Sequence, residues 1–188
     1  MQQYKKKFSL SAEEYNYLAS EMRSFSCAER QTIYYFDTEE YAMHQKGMEC
    51  CICENSHGCI ATVKTYPSYG GITEREEQAL GRWDTHLFSG LNVTFKGTVT
   101  TDLIPLFKDE RYAVLLCKNT YLGETDYELE LVYQLNSISH AIMFLETIAL
   151  RLSGAFSDTS VYSFFARSEH EQSKAERFFE KLISTTKK

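Results

Sequence analysis

The chain reads as one α+β domain over residues 1–188, dominated by antiparallel strands that amphipathic helices cover. Three observations predict this. Short β-prone runs recur along the chain with turn-length loops between them. Charged and apolar residues alternate within several of those runs, and the segments between carry apolar stripes of helical period. With 188 residues, 43% of them hydrophobic and only two prolines, the chain can bury a core without disulfides and lies far from disordered or fibrous compositions.

Each element has its own justification. Residues 3–8 are a short strand, and Ser11-Ala-Glu-Glu14 is a capping box that opens a helix with Tyr15, Leu18 and Met22 on its apolar face. Gln31–Asp37 is strongly β-prone, and a helical turn follows over Glu39–Lys46 and stops at Gly47. Met48–Glu54 and Cys59–Tyr66 flank Asn55-Ser-His-Gly58, a loop of hairpin length. Thr73-Glu-Arg-Glu76 is a second capping box, predicting a helix to about Ser89 with Trp83 and Leu87 on one face. Strands return at Asn92–Asp102, Tyr112–Lys118 and Asp126–Leu135. Ser137–Leu152 carries Ile138, Ala141, Ile142, Leu145, Ile148, Ala149 and Leu152 at helical spacing, so it must pack on something, with Ile142, Leu145 and Ile148 expected at the contact. Ser168-Glu-His-Glu171 is expected to cap the last helix, running to about Ser184.

Parity within the strands is the informative feature. Glu128 and Glu130 share a face opposite Leu129 and Leu131; Lys5 and Lys7 share one opposite Tyr4, Lys6 and Phe8; Thr62 and Lys64 share one opposite Ala61 and Val63. A solvent-facing sheet accounts for this pattern. So does a closed sheet with a polar interior and helices outside.

Composition narrows the partners. Twenty basic residues against 26 acidic ones give a net charge of −6, which argues against coating nucleic acid or an anionic membrane. Lysines follow the first Met, but Phe8–Glu14 supplies no apolar stretch, so a secretory signal is not expected. A cytoplasmic location is the expectation, with Cys27, Cys50, Cys51, Cys53, Cys59 and Cys117 reduced.

Three strings in order, Gln31-Thr-Ile-Tyr-Tyr-Phe-Asp-Thr38, Asp126-Tyr-Glu-Leu-Glu-Leu131 and Ser173-Lys-Ala-Glu-Arg-Phe178, resemble the CYTH superfamily of triphosphate tunnel metalloenzymes. That family includes class IV adenylate cyclases, thiamine triphosphatases and inorganic triphosphatases, and the resemblance runs from about Gln2 to Leu182. It implies a closed, eight-stranded antiparallel β-barrel with helices packed outside, and so selects the second reading of the alternation. It also implies a phosphorylated small-molecule ligand held by Lys5, Lys7, Lys64, Lys174 and Arg177, and Mg²⁺ or Mn²⁺ held by Glu128, Glu130 and Glu54. Phosphoryl transfer needs charge neutralisation and positioning more than a protein nucleophile, which suits such a set.

The match is uneven. The family's Glu-x-Glu-x-Lys is Gln3-Tyr-Lys-Lys-Lys7, so Lys5 stands in place of a glutamate. The strand with two phosphate-clamping arginines is Cys50-Cys-Ile-Cys-Glu54, with Cys51 and Cys53 in their places, and a third arginine is absent from Thr100-Thr-Asp-Leu103. A thiol cannot replace a planar guanidinium fork. Triphosphatase activity is therefore expected to be weak or absent, arginine at positions 51 and 53 to strengthen triphosphate binding, metal binding to be weak, and the preferred anion to carry one or two phosphates. The alternative is a tunnel that binds a phosphorylated ligand, or serves as a scaffold, without turnover. Cys51, Cys53, His57 and Cys59 fit no common zinc spacing, and no base stands beside a nucleophilic cysteine.

Overall fold

In a computed structural model, residues 4–22, 28–65, 74–80, 88, 90–169 and 172–186 are described, residues 74–80 and 169 by their backbone alone. The elements are β1 (Tyr4–Leu10), α1 (Ala12–Glu21), β2 (Glu29–Asp37), α2 (Ala42–Gln45), β3 (Met48–Asn55), β4 (Gly58–Thr65), β5 (Glu74–Leu80), β6 (Thr94–Lys108), β7 (Tyr112–Tyr121), β8 (Glu124–Tyr133), α3 (Ile138–Ala155), α4 (Val161–Ala166) and α5 (Lys174–Thr186). The strands follow the order β1-β8-β7-β6-β2-β3-β4-β5 in one sheet, and every register resolved is antiparallel. The chain clusters into two compact units, one of Met1–Ala28, Asp102–Asn119 and Thr125–Glu171, the other of Glu29–Thr101, Thr120–Glu124 and Gln172–Lys188.

The first unit is built on the pairing of β1 with β8, where Tyr4 lies opposite Tyr133 and Leu10 opposite Tyr127. Alternation then assigns the faces. Phe8, Leu10, Leu129, Leu131 and Tyr133, with Val114 and Leu116 of β7, form a core with Ala141, Leu145, Ile148, Ala149 and Leu152 of α3 and Phe164 of α4. Phe8 stacks on Phe164 with ring centroids 4.9 Å apart. The apolar stripe of α3 packs as its spacing predicts, except that Ile142 is 39% exposed. At 3.6 residues per turn Ile142 lies on the flank of the stripe, away from Leu145 and Ile148. Ser11 caps α1 as predicted: its hydroxyl accepts from the Glu14 N–H while the Glu14 carboxylate accepts from the Ser11 N–H.

In the second unit β2, β3, β4 and β5 form a meander, with Tyr35 opposite Cys51 and Glu49 opposite Lys64. One face carries Tyr35, Cys51 and Val99, packed against Ala175, Phe178 and Phe179 of α5. The other carries Phe36, Cys50, Ile52 and Ala61, packed with Met43 of α2 and with Phe88. The buried Asp37 fixes α2, its two oxygens accepting from the N–H groups of Met43 and His44.

Three expectations are corrected. The barrel is not closed: β1 and β5 are the two ends of the sheet order, and no pairing among the described residues joins them. Alternation says which face of a strand is polar, but closure depends on strand tilt and stagger, which alternation does not encode. Glu74–Leu80 is a strand paired with β4, from Thr65 opposite Glu74 to Cys59 opposite Leu80, not the start of a helix. A four-residue capping pattern was outweighed there by an available sheet edge; Trp83 and Leu87 lie outside the described residues. The box that caps the last helix is Ser173 with Glu176, one motif later than Ser168–Glu171.

Candidate functional site

Register places the charged residues of the first unit. Lys7 lies opposite Glu130, Ser9 opposite Glu128 and Lys5 opposite Val132, so all of them project from the face that α3 does not cover. Each lysine reaches diagonally: Lys5 Nζ is 2.9 Å from Glu130 Oε1, and Lys7 Nζ is 3.5 Å from Glu128 Oε1. Glu128 and Glu130 are 1% and 6% exposed, burial that a carboxylate tolerates only beside a positive charge or hydrogen-bond donors. Cys117 of β7 completes the group, since one ligand atom from each of Cys117, Glu128 and Glu130 lies within 4.8 Å of the others. Next to it the Asn119 amide donates to Asp126 Oδ1 at 2.7 Å.

Sequence reasoning did not single out Cys117. Its signal was parity, for Tyr112, Val114 and Leu116 enter the apolar core and the residues between them face the other way. Lys6, on the parity of Phe8, is solvent-exposed, as Lys5 is.

The second unit holds the remaining candidates. Lys64 faces Glu49 across the β3–β4 ladder with Nζ 2.6 Å from Oε1, and the Cys51 thiol donates to the same oxygen at 3.2 Å. Glu49 was not predicted either, although it directly precedes the cysteine run and shares the parity of Cys51. Cys51 is buried in the apolar cluster under α5, where burial first and the Glu49 charge second push its thiol well up. Cys53 is half-buried and accepts from the Gln31 amide. Lys174 Nζ donates to the buried Thr101 hydroxyl at 3.4 Å, and Arg177 Nη1 donates to the carbonyl of Gln172. Glu54 is exposed, accepts from the Tyr34 hydroxyl at 2.7 Å, and shares its face with Ile52 and Cys50, opposite to that of Glu49 and Cys51.

No protein-family model matches the sequence, and no curated protein matches it. Solved structures do. A "putative adenylate cyclase" from Bacillus halodurans is 20% identical, covers 95% of this chain and 100% of its own, and superimposes with a TM-score of 0.66. The chain has a CYTH-like fold. A "putative adenylyl cyclase" from Hippeastrum, described as having a dominant triphosphatase activity, is 16% identical over 79% of this chain and 88% of its own, with a TM-score of 0.59. A chain of the Mediator head module of Schizosaccharomyces pombe is also similar, 10% identical over 82% of this chain and 96% of its own at a TM-score of 0.53. One CYTH-like fold thus spans proteins described in unlike terms, and the site has to carry the functional reading.

The first unit's donors do not fit Mg²⁺ or Mn²⁺ as they stand. Hard cations of this size want about six oxygens near 2.1 Å. Here the third donor is a thiol, and both carboxylates already receive an ammonium.

Proposed function

We propose that this chain is a CYTH-like protein that binds a phosphorylated small molecule, with hydrolysis of inorganic triphosphate or a triphosphorylated compound weak at best. The observation that carries the reading is the face bearing Lys5 and Lys7 over Glu128 and Glu130, two ammonium groups held ready on a rigid ladder. Ammonium groups suit phosphate oxygens, and Lys64, Lys174 and Arg177 are proposed as phosphate ligands within the second unit, taken by itself. The triphosphatase described for the Hippeastrum protein supports the substrate class.

Weakness of turnover follows from charge. Lys5, Lys7 and Lys64 each stand beside a carboxylate, so their field is largely cancelled before any ligand arrives. The positions of two clamping arginines hold Cys51, buried under α5, and Cys53. Where Mg²⁺ or Mn²⁺ takes part, Glu128 and Glu130 of the first unit would have to hold it. The second reading, a ligand-binding or scaffold protein without turnover, is favoured by the same neutralised lysines and by the likeness to a chain of the Mediator head module. Neither reading requires nucleic acid or a membrane, and no helix among the described residues is long and apolar enough to cross one.

The deciding experiment is a panel of Mg²⁺ and Mn²⁺ against inorganic triphosphate, thiamine triphosphate and ATP, read as phosphate release, with pyrophosphate and phosphate titrated calorimetrically beside it. Slow release from inorganic triphosphate with measurable pyrophosphate binding is expected. Rapid turnover of any of the three excludes the weak-hydrolase reading; no binding of any of them excludes the phosphate reading.

A further inference from the structure

Two carboxylates on one strand face at 1% and 6% exposure need positive charge beside them, and here the chain supplies it. We propose that the Lys5 and Lys7 ammonium groups are the resident cations of the Glu128–Glu130 pair, with Lys5 the exposed one, so that the site neutralises its carboxylates and accepts an anion without a divalent metal. This deepens the phosphate-binding reading and depends on it only for the identity of the anion.

Both lysines lean the same way along β8, Lys5 from opposite Val132 to Glu130 and Lys7 from opposite Glu130 to Glu128, so an ammonium stands within ion-pair distance of each carboxylate. The two lysines differ in their surroundings. The Lys7 side chain is 20% exposed, whereas that of Lys5 is 55% exposed while its Nζ still holds the 2.9 Å contact. An ammonium carries three N–H donors, so Lys5 can keep one bond to Glu130 and offer another to a phosphate oxygen. A divalent ion entering the same place would have to shed water, displace Lys5, and accept a thiol where a hard cation prefers oxygen. Lys5 therefore sets the site's preference between metal and anion, and removing it should convert an anion site into a cation site.

Mn²⁺ binding to the intact protein, followed by electron paramagnetic resonance, tests this. In wild type, uptake should be weak. In Lys5→Met, Glu130 loses the Lys5 ammonium and Mn²⁺ affinity should rise by up to about fivefold, the equivalent of one part-exposed charge pair; Glu130→Gln in that background should remove the gain. Lys5 is exposed on an end strand, and Lys5→Gln repeats the test should the methionine variant fold poorly. Equal Mn²⁺ affinity in wild type and the Lys5 variants, or a gain that survives Glu130→Gln, overturns the proposal. A parallel titration of wild type with inorganic pyrophosphate should give the same affinity in EDTA and in Mn²⁺, and binding that appears only with Mn²⁺ also overturns it. Absence of pyrophosphate binding under both conditions would sink the phosphate reading, while the Mn²⁺ arm would still decide the role of Lys5.

Discussion

Glu14 is a carboxylate at 3% exposure whose oxygens accept from four donors: the Ser11 N–H, the Thr159 hydroxyl and both Nη groups of Arg167. Burial alone would raise its pKa; the Arg167 hydrogen bonds, then those from Ser11 and Thr159, outweigh it and hold the carboxyl below the usual glutamate range. A lowered carboxylate contributes stability that is fully present above its unfolded pKa and is lost as pH falls through its folded one. Arg167→Ala strands a buried charge and should cost about 3 kcal/mol at neutral pH. Thermal melts down the acid range should show the gap between wild type and Arg167→Ala closing as Glu14 protonates; a gap independent of pH would mean that the arginine acts by packing alone. The cysteines permit a second prediction. Cys51 lies among Tyr35, Val99 and Phe178, so Cys51→Arg should lower the melting temperature sharply, whereas half-buried Cys53 can take an arginine with the fold intact. Calorimetry should then show triphosphate binding to Cys53→Arg tightened by roughly tenfold, the worth of one charge-assisted contact. The substitution at both positions suggested by the sequence alone is thus expected to fail through Cys51.

At the scale of elements, α5 seats on β6 at a glycine. Gly97 has φ of +144°, and a Cβ there would lie 2.9 Å from Phe178 Cζ. Phe178 in turn stacks on Tyr35 at 5.1 Å between centroids, so it has little room to yield. Gly97→Ala combines a strained backbone with overpacking and should destabilise by about 2–3 kcal/mol, measured by denaturant unfolding; a change below about 0.5 kcal/mol would show that the helix shifts freely on its strand. Elements with two agreeing signals were legible in the sequence: α1 had a cap and a stripe, α3 had five buried positions at helical spacing, and the β3–β4 hairpin had matched runs around a turn. Two others were misread or missed. β5 had only a cap-like tetrapeptide, and α4, six residues long with a cap made by Ser160 and Ser163, is too short to show a period.

Across the whole molecule, parity made the polar face legible and distance did not. Lys5, Lys7, Glu128 and Glu130 each alternate with core residues and the resemblance implied that they share a site, but which lysine meets which glutamate depends on a register that only the folded ladder fixes. Glu49 and Cys117 were missed because a single residue carries no period, and closure was overread because a barrel and an open sheet share the same alternation. The buried thiols have a further use. Cys117 belongs to the first unit, Cys50 and Cys51 to the second, and all three are 2% exposed or less. The Cys50 thiol is pushed up to about 12 by burial and then by the charges of Asp37 and Glu49, so at neutral pH it carries almost no thiolate while folded. Alkylation at these positions therefore waits for opening, and each thiol becomes a clock for the unit that contains it. A timed pulse of maleimide in mild urea, read by peptide mass spectrometry, should label Cys59 early and the three buried thiols late. Equal rates for Cys117 and Cys51 would mean that both halves open in one event, and unequal rates would give the order of opening without an added probe.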